Sequence, residues 1–312
     1  NKFTLDWKNE EIIKPKEIGI KYFNDYPINE IRKYINWTQF FVTWEIKGRY
    51  PQIFENAEKG EEARKLFDYA NNLLDEIIEN KTIKANAAIG IFNANANNEN
   101  IEFYDENGKN FVTFNCLRQQ NKKTNSNDNL SLADFIAPKD SGIDDYCGIF
   151  ACTAGIGVDE LVLQSEKMHD DYRGLMIKII ADRLAEAFAE LLQEKVRKEI
   201  WGYNTVENMN VDDLLNEKYV GIRPAIGYPS MPDHTENQKL IDVLDAESKI
   251  GISLTESYMM NPAASVSGLY FANKNSKYFA VGKITEEQLI DYSNRKNWKI
   301  EEGQKWLSPY LI

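Results

Sequence analysis

A stripe of apolar residues recurring at helical spacing constrains this chain more than any other feature: Met176, Ile179, Ile180, Leu184, Ala187, Phe188, Leu191, Leu192 and Val196. It predicts a helix from about Asp171 to Trp201, the longest in the chain and the spine of the fold. A second amphipathic helix is predicted from Glu61 to about Asn80, where Ala63, Leu66, Phe67, Ala70, Leu73, Leu74, Ile77 and Ile78 share one face. Between the two lie short apolar runs of strand type. Ala87–Phe92, Ile101–Tyr104, Phe111–Phe114 and Tyr146–Thr153 read as strands, with Asn107-Gly108 as a hairpin turn.

The Asn-rich stretches 93–100 and 121–129 read as loops at strand ends. Phe3–Trp7 reads as strand-like, and residues 1–55 are too irregular to assign to one element. A helical stretch ends near His169, and another short helix covers Asn237–Leu244. Ser265–Phe271 is expected to pair with Tyr278–Val281 across residues 272–276, and Thr285 with Gln288 is a capping box opening the last main helix. Strands and helices mix without a repeated strand–helix rhythm. The expected fold class is therefore α+β, a single large domain over residues 1–312 with a mostly antiparallel twisted sheet and flanking helices.

Charge and motif content exclude several functions. A formal charge of −12 without any Lys/Arg cluster argues against a nucleic-acid partner. No run of eighteen apolar residues and no signal-peptide layout argue against a membrane and for a cytoplasmic protein. Cys116, Cys147 and Cys152 lack metal or disulfide spacing and read as reduced core residues. The start at Asn1, not Met, reads as a piece of a longer polypeptide. Walker A, GxGxxG, HExxH and GxSxG motifs are absent, and the two histidines, His169 and His234, leave little for His-based catalysis or a metal site. A binding site of polar side chains and backbone is expected instead.

Gly221-Ile-Arg-Pro-Ala-Ile-Gly-Tyr-Pro-Ser-Met-Pro-Asp-His-Thr-Glu236 carries three prolines and two glycines among aromatic and charged residues. Proline fixes φ, and Gly227 permits a close backbone approach, so the segment reads as a rigid extended loop. Arg223 can offer its planar fork to a carboxylate, and Tyr228 an apolar face with a hydroxyl. This suits a ligand with a carboxylate head and a flat ring. An internal salt bridge for Arg223 in a packed surface loop fits the residues equally well.

The segment resembles the RPxxGYPxxPxHT signature of the activation domain of cobalamin-dependent methionine synthase. Further matches run through the chain in order: Asn36-Trp-Thr-Gln-Phe-Phe-Val-Thr-Trp44 with Gly48-Arg-Tyr-Pro51, Leu132-Ala-Asp-Phe-Ile-Ala-Pro138, His169-Asp-Asp-Tyr172, Asp182-Arg-Leu-Ala-Glu-Ala-Phe-Ala-Glu190, Trp201-Gly-Tyr203, Leu254-Thr-Glu-Ser257 and Ala264-Ser-Val-Ser-Gly268. The resemblance implies a domain that binds S-adenosylmethionine and presents its methyl for reductive methylation of cob(II)alamin held by a neighbouring cobalamin domain. That step reactivates the methyltransferase in methionine biosynthesis and takes an electron from flavodoxin or another reductase. The domain would be the C-terminal part of a longer multidomain chain, with little activity alone. A free-standing protein reactivating a separately encoded synthase is the alternative.

By the same resemblance Arg223 holds the methionine carboxylate and the backbone from Ala225 to Gly227 lines the pocket. Tyr228 approaches the cobalt face, while Tyr278 and Phe279 border the ligand, Phe279 replacing a second tyrosine. Asn36 stands where the family pattern has an aspartate that contacts the ligand; it keeps an acceptor and loses the charge. Glu186 and Glu217 match acids near the sulfonium and cobalamin, Asp182 is a candidate to meet the displaced cobalt ligand, and His234 a contact to a neighbouring domain. Asp182, Glu186 and Glu190 at four-residue spacing also fit a plain solvated helix face. A sulfonium is already a good leaving group, so positioning, not acid–base catalysis, is the expected work of the site.

Overall fold

The computed structural model describes residues 2–120 and 128–312. Its N-terminal part contributes strand β1 (Gly19–Phe23) and two short helices, α1 (Ile28–Ile31) and α2 (Trp37–Thr43). The predicted amphipathic helix is α3, Gly60–Asn80. A meander follows: β2 (Lys84–Asn97), β3 (Asn100–Tyr104) and β4 (Asn110–Asn115). Then come β5 (Asp145–Ile156), α4 (Val158–Lys167) and the spine helix α5 (Asp171–Lys195), which continues as a π-helical turn over Val196–Ile200. After α6 (Val211–Leu215), α7 (Glu236–Val243) and α8 (Ala246–Ile250) come β6 (Ser253–Leu254), β7 (Met260–Asn261) and β8 (Ser265–Tyr270), then α9 (Glu286–Arg295) and α10 (Ile300–Leu307).

The main sheet has six strands, five in the order β4-β3-β2-β5-β8 and β1 paired with β2 off that path, and its ladders are antiparallel. β2 is long enough to serve two partners on one edge: residues 87–91 pair with β1 and residues 93–97 with β3. Its other edge pairs with β5. β5 is buried from Asp145 to Gly155 because both faces are covered. Phe150 and Cys152 join the core beneath α5, while Cys147, Ile149 and Ala151 pack with Leu240, Leu244 and Ile250 on the opposite side. The mostly antiparallel α+β arrangement matches the sequence reading. The three cysteines are free and buried.

Several local expectations are corrected. Phe3–Trp7 forms no strand; Lys2 makes a single bridge to Asn129, and the Phe3 ring packs against Phe135. Residues 93–97 are not a loop but the end of β2. Ala94 and Ala96 point into the core, and Asn95 between them donates to the carbonyls of Ala137 and Ile143 at 3.0 and 2.8 Å. The other expected loop, 121–129, lies outside the described residues up to 127.

The capping box of α9 is half made. Thr285 accepts from Gln288 N at 3.4 Å, but the Gln288 amide is spent on Arg118, accepting from its N–H at 2.7 Å and donating to its carbonyl at 2.9 Å. The largest correction concerns β8, which does not form a hairpin with Tyr278–Val281. Its outer edge is taken by the Arg223 loop instead, through bridges Ile222↔Phe271 and Ala225↔Gly268.

Candidate functional site

Gly268 explains why a loop can occupy the β8 edge. A Cβ there would run into the Pro224 carbonyl and the Ala225 Cα, so a residue without one lets the backbones meet. Ile222 and Phe271 exchange N–H···O bonds of 3.0 Å, Leu269 N donates to Pro224 O at 3.0 Å, and Ile226 N donates to Ser267 O at 3.1 Å. The loop then turns back, Gly227 N donating to Met231 O at 2.8 Å and Met231 N to Tyr228 O at 2.9 Å. Gly227 sits at φ +88°, with the His234 imidazole packed where a Cβ would stand. His234 thus buttresses the turn from behind and does not line the cleft in front of it.

The segment expected to pair with β8 packs on the loop instead. Val281 N donates to Pro229 O at 2.8 Å, and the Ser230 hydroxyl donates to Phe279 O. Arg223 N donates to Tyr278 Oη at 2.9 Å, so Tyr278 fixes the backbone of the arginine beside it.

A two-lobed cleft opens between this assembly and α5. One lobe, about 460 Å³, lies between Pro224–Ser230 and the Tyr278–Phe279 pair. The second, about 320 Å³, reaches toward Asn36, Gln39 and Tyr219. Glu186, Glu217, Arg223 and Tyr228 border both lobes. Each lobe falls at the low end of the size range of small-molecule sites. A larger hollow of about 750 Å³ adjoins through Asn36 and Gln39 but touches no residue of the Arg223 loop.

Arg223 lies over the Phe150 ring, 5.7 Å from its centroid; its Nε donates to Gln193 Oε1 at 3.3 Å, and its Nη2 stands 3.5 Å from Glu190 Oε2. Burial alone would weaken its hold on its proton, but the Glu190 carboxylate, with Tyr278, Glu186 and Tyr219, more than offsets this and holds the guanidinium charged. Tyr228 is 55% exposed at the cleft mouth, its hydroxyl 3.3 Å from Glu186 Oε1. The neighbouring Glu186 charge, with burial second, raises the phenol above its ordinary value and keeps it protonated.

Of the residues singled out in the sequence, Asn36, Glu186, Glu217, Arg223, Ala225, Tyr228, Tyr278 and Phe279 converge on this cleft. Gly227 shapes the turn from within. Asp182 stays outside, its side chain 60% exposed and paired with Arg183 at 3.3 Å. Asn36 also caps α2, accepting from Gln39 N at 3.1 Å. Glu217 is held at φ +55°, an uncommon conformation for a residue with a side chain.

Glu190, Gln193 and Tyr219 were missed as parts of the site. Glu190 does not sit on a solvated face as its four-residue spacing allowed: it is 7% exposed and Gln193 fully buried. The signal was present, since Ala187, Phe188, Ala189, Leu191 and Leu192 surround Glu190 with apolar residues on every side of the helix. Chemically, the cleft joins a charged guanidinium to flanking aromatic rings and an acidic rim. It can take a molecule carrying a carboxylate, a flat ring and a cationic centre.

A family model described as vitamin B12 dependent methionine synthase, activation domain, matches residues 27–297. Among solved structures the chain is similar to the crystal structure of the MetH reactivation domain bound to AdoHcy, at 44% sequence identity. The match covers 100% of this chain and 96% of that chain, with a TM-score of 0.96.

Proposed function

The chain belongs to the family of vitamin B12 dependent methionine synthase activation domains, and from that premise we propose that it binds S-adenosylmethionine and presents its methyl group to cobalamin on a neighbouring domain. The observation that carries the reading is the charge layout of one cleft, a largely buried guanidinium with the Glu186 and Glu217 carboxylates on the same borders. It mirrors a ligand with a carboxylate at one end and a sulfonium further along. The AdoHcy bound to the similar reactivation domain, which is the same molecule without the methyl, supports the same choice.

In this reading Arg223 pairs with the ligand carboxylate, the backbone from Ala225 to Gly227 lies along the ligand, and Asn36, Tyr278 and Phe279 border it. Glu186 and Glu217 attract the sulfonium, with Asp182 further along the same helix face. Tyr228 shields the methyl from the open mouth until a partner docks, and His234 keeps the turn below it in place. Cobalamin carried by the neighbouring domain, of the same or a separate chain, supplies the cobalt centre that accepts the methyl. The chain's own contribution is orientation and exclusion of water. The electron comes from flavodoxin or another reductase, and the free, buried cysteines support a cytoplasmic setting.

Mixing the chain with the cobalamin-binding domain of a B12-dependent methionine synthase, S-adenosylmethionine and reduced flavodoxin tests this directly. Methylcobalamin, followed by its absorbance, is expected to form only when the chain is present. An equal rate without it would overturn the proposal.

A further inference from the structure

The Arg223 guanidinium already has a carboxylate partner. Glu190 Oε2 lies 3.5 Å from its Nη2, and Glu190 is 7% exposed, in the floor of the cleft. Glu190 Oε1 is buried with no hydrogen-bond partner among the described residues. A carboxylate with one bare oxygen is costly to keep charged.

Its surroundings supply limited compensation. From its own helix and the turn beyond come Glu186, Arg197 and Arg183, the last paired with Asp182 at 3.3 Å; from the N-terminal part, Tyr34; from the loop after α6, Glu217 and Tyr219; from β8, Tyr270; and from the opposite wall, Arg223, Tyr228 and Tyr278. Arg197 is committed to Glu207 through two bonds of 2.7 Å, and Glu217 and Glu186 carry the same sign as Glu190. Burial therefore pushes the Glu190 carboxyl above its ordinary range, with Arg223 and Arg197 opposing.

Resting on the reading that Arg223 receives the ligand's carboxylate, we propose that this second carboxylate on one cation makes binding take up a proton at Glu190, which serves as the positioning residue for Arg223. With Glu190 protonated, its oxygen still faces Arg223 and holds the fork in place, while the positive charge is left to the ligand. Below the titration of Glu190 in the free protein, the carboxyl is neutral before and after binding, and affinity is highest. As pH rises above that point, each binding event must bring a proton, and affinity falls by up to about tenfold per pH unit until the titration of the bound state is passed.

Glu190→Gln keeps an acceptor opposite Arg223 and is neutral at every pH. Calorimetry with S-adenosylhomocysteine across the acidic to neutral range, in two buffers of different ionisation enthalpy at each pH, reads the proton directly, because the ligand's amine stays protonated over that range. The wild-type chain is expected to take up a clear fraction of a proton at pH values above the ordinary glutamate range, and to lose affinity as pH rises through that window. Glu190→Gln is expected to bind with no uptake and a flat pH profile. Decarboxylated S-adenosylmethionine, which leaves Arg223 to Glu190, is expected to show no uptake with the wild-type chain, an arm that stands even if the variant does not fold. Absence of uptake in the wild type, or equal uptake with either control, overturns the proposal. Absence of binding heat with every ligand instead overturns the ligand assignment on which it rests.

Discussion

At the scale of single residues, the site depends on which charges the fold keeps and which it makes costly. Arg223 is largely buried, its side chain 12% exposed, yet firmly charged because carboxylates and tyrosine hydroxyls surround it. Asp145 shows the opposite case. It opens β5 at 7% exposure and, among the described residues, accepts two backbone bonds, from Ala137 N at 2.8 Å and Tyr146 N at 2.7 Å. Burial, against those two bonds, pushes its carboxyl up to about 6. Its folded titration lies above the ordinary aspartate value of about 3.9, so its contribution to stability is fully present below that pH. The contribution, on the order of 3 kcal/mol, is lost as pH rises through about 6. Carboxyl-carbon NMR, assigned with Asp145→Asn, is expected to show a midpoint near 6; a midpoint in the ordinary aspartate range would refute this account of Asp145.

Among the elements, legibility followed periodicity. α3 and α5 were readable because their apolar stripes are long and regular, and β5 because its run is apolar on both faces. The end of β2 was not, since its alternation uses Ala94 and Ala96 as the buried partners of asparagines, and alanine carries little hydrophobic signal. The β8 edge was misread because two apolar runs joined by a polar turn look like a hairpin. Only the absence of a side chain at Gly268 marks it as a place for another backbone. The Arg223 loop itself was legible from its prolines and glycines, whereas Glu190 was hidden behind a spacing that also suits an exposed face.

What anchors the far end of that loop is α9. Lys296 at its C-terminus is 2.6 Å from both Asp233 and Glu236, which are buried, and lies over the Trp298 ring. Burial would raise the Asp233 carboxyl, but Lys296 together with the bonds from the Tyr292 hydroxyl and Thr235 N outweighs it and holds the group below the ordinary range. Lys296→Met leaves two buried acids without this cation and is expected to cost about 3–5 kcal/mol. Urea denaturation measures it, and a loss under about 1 kcal/mol would mean that the network is not what holds the loop to α9.

On the scale of the whole molecule, the sheet and α5 hold the cleft from two sides while its mouth stays open. β8 fixes the Arg223 loop, α5 presents Glu186 and Glu190 across from it, and the segment after β8 closes the side with Tyr278 and Phe279. Tyr228, Pro229 and Tyr278 remain exposed at the mouth. A cobalamin domain that must also visit other catalytic partners would need such an open, reversible docking face. The proposed function requires a ligand carboxylate held by Arg223. Equilibrium calorimetry with S-adenosylmethionine should give saturable one-to-one binding to the wild-type chain. Affinity should fall by roughly tenfold to a hundredfold in Arg223→Ala, the loss of a charge-assisted bond of about 1.5–3 kcal/mol. Binding of equal strength by both proteins, or by neither, would contradict it.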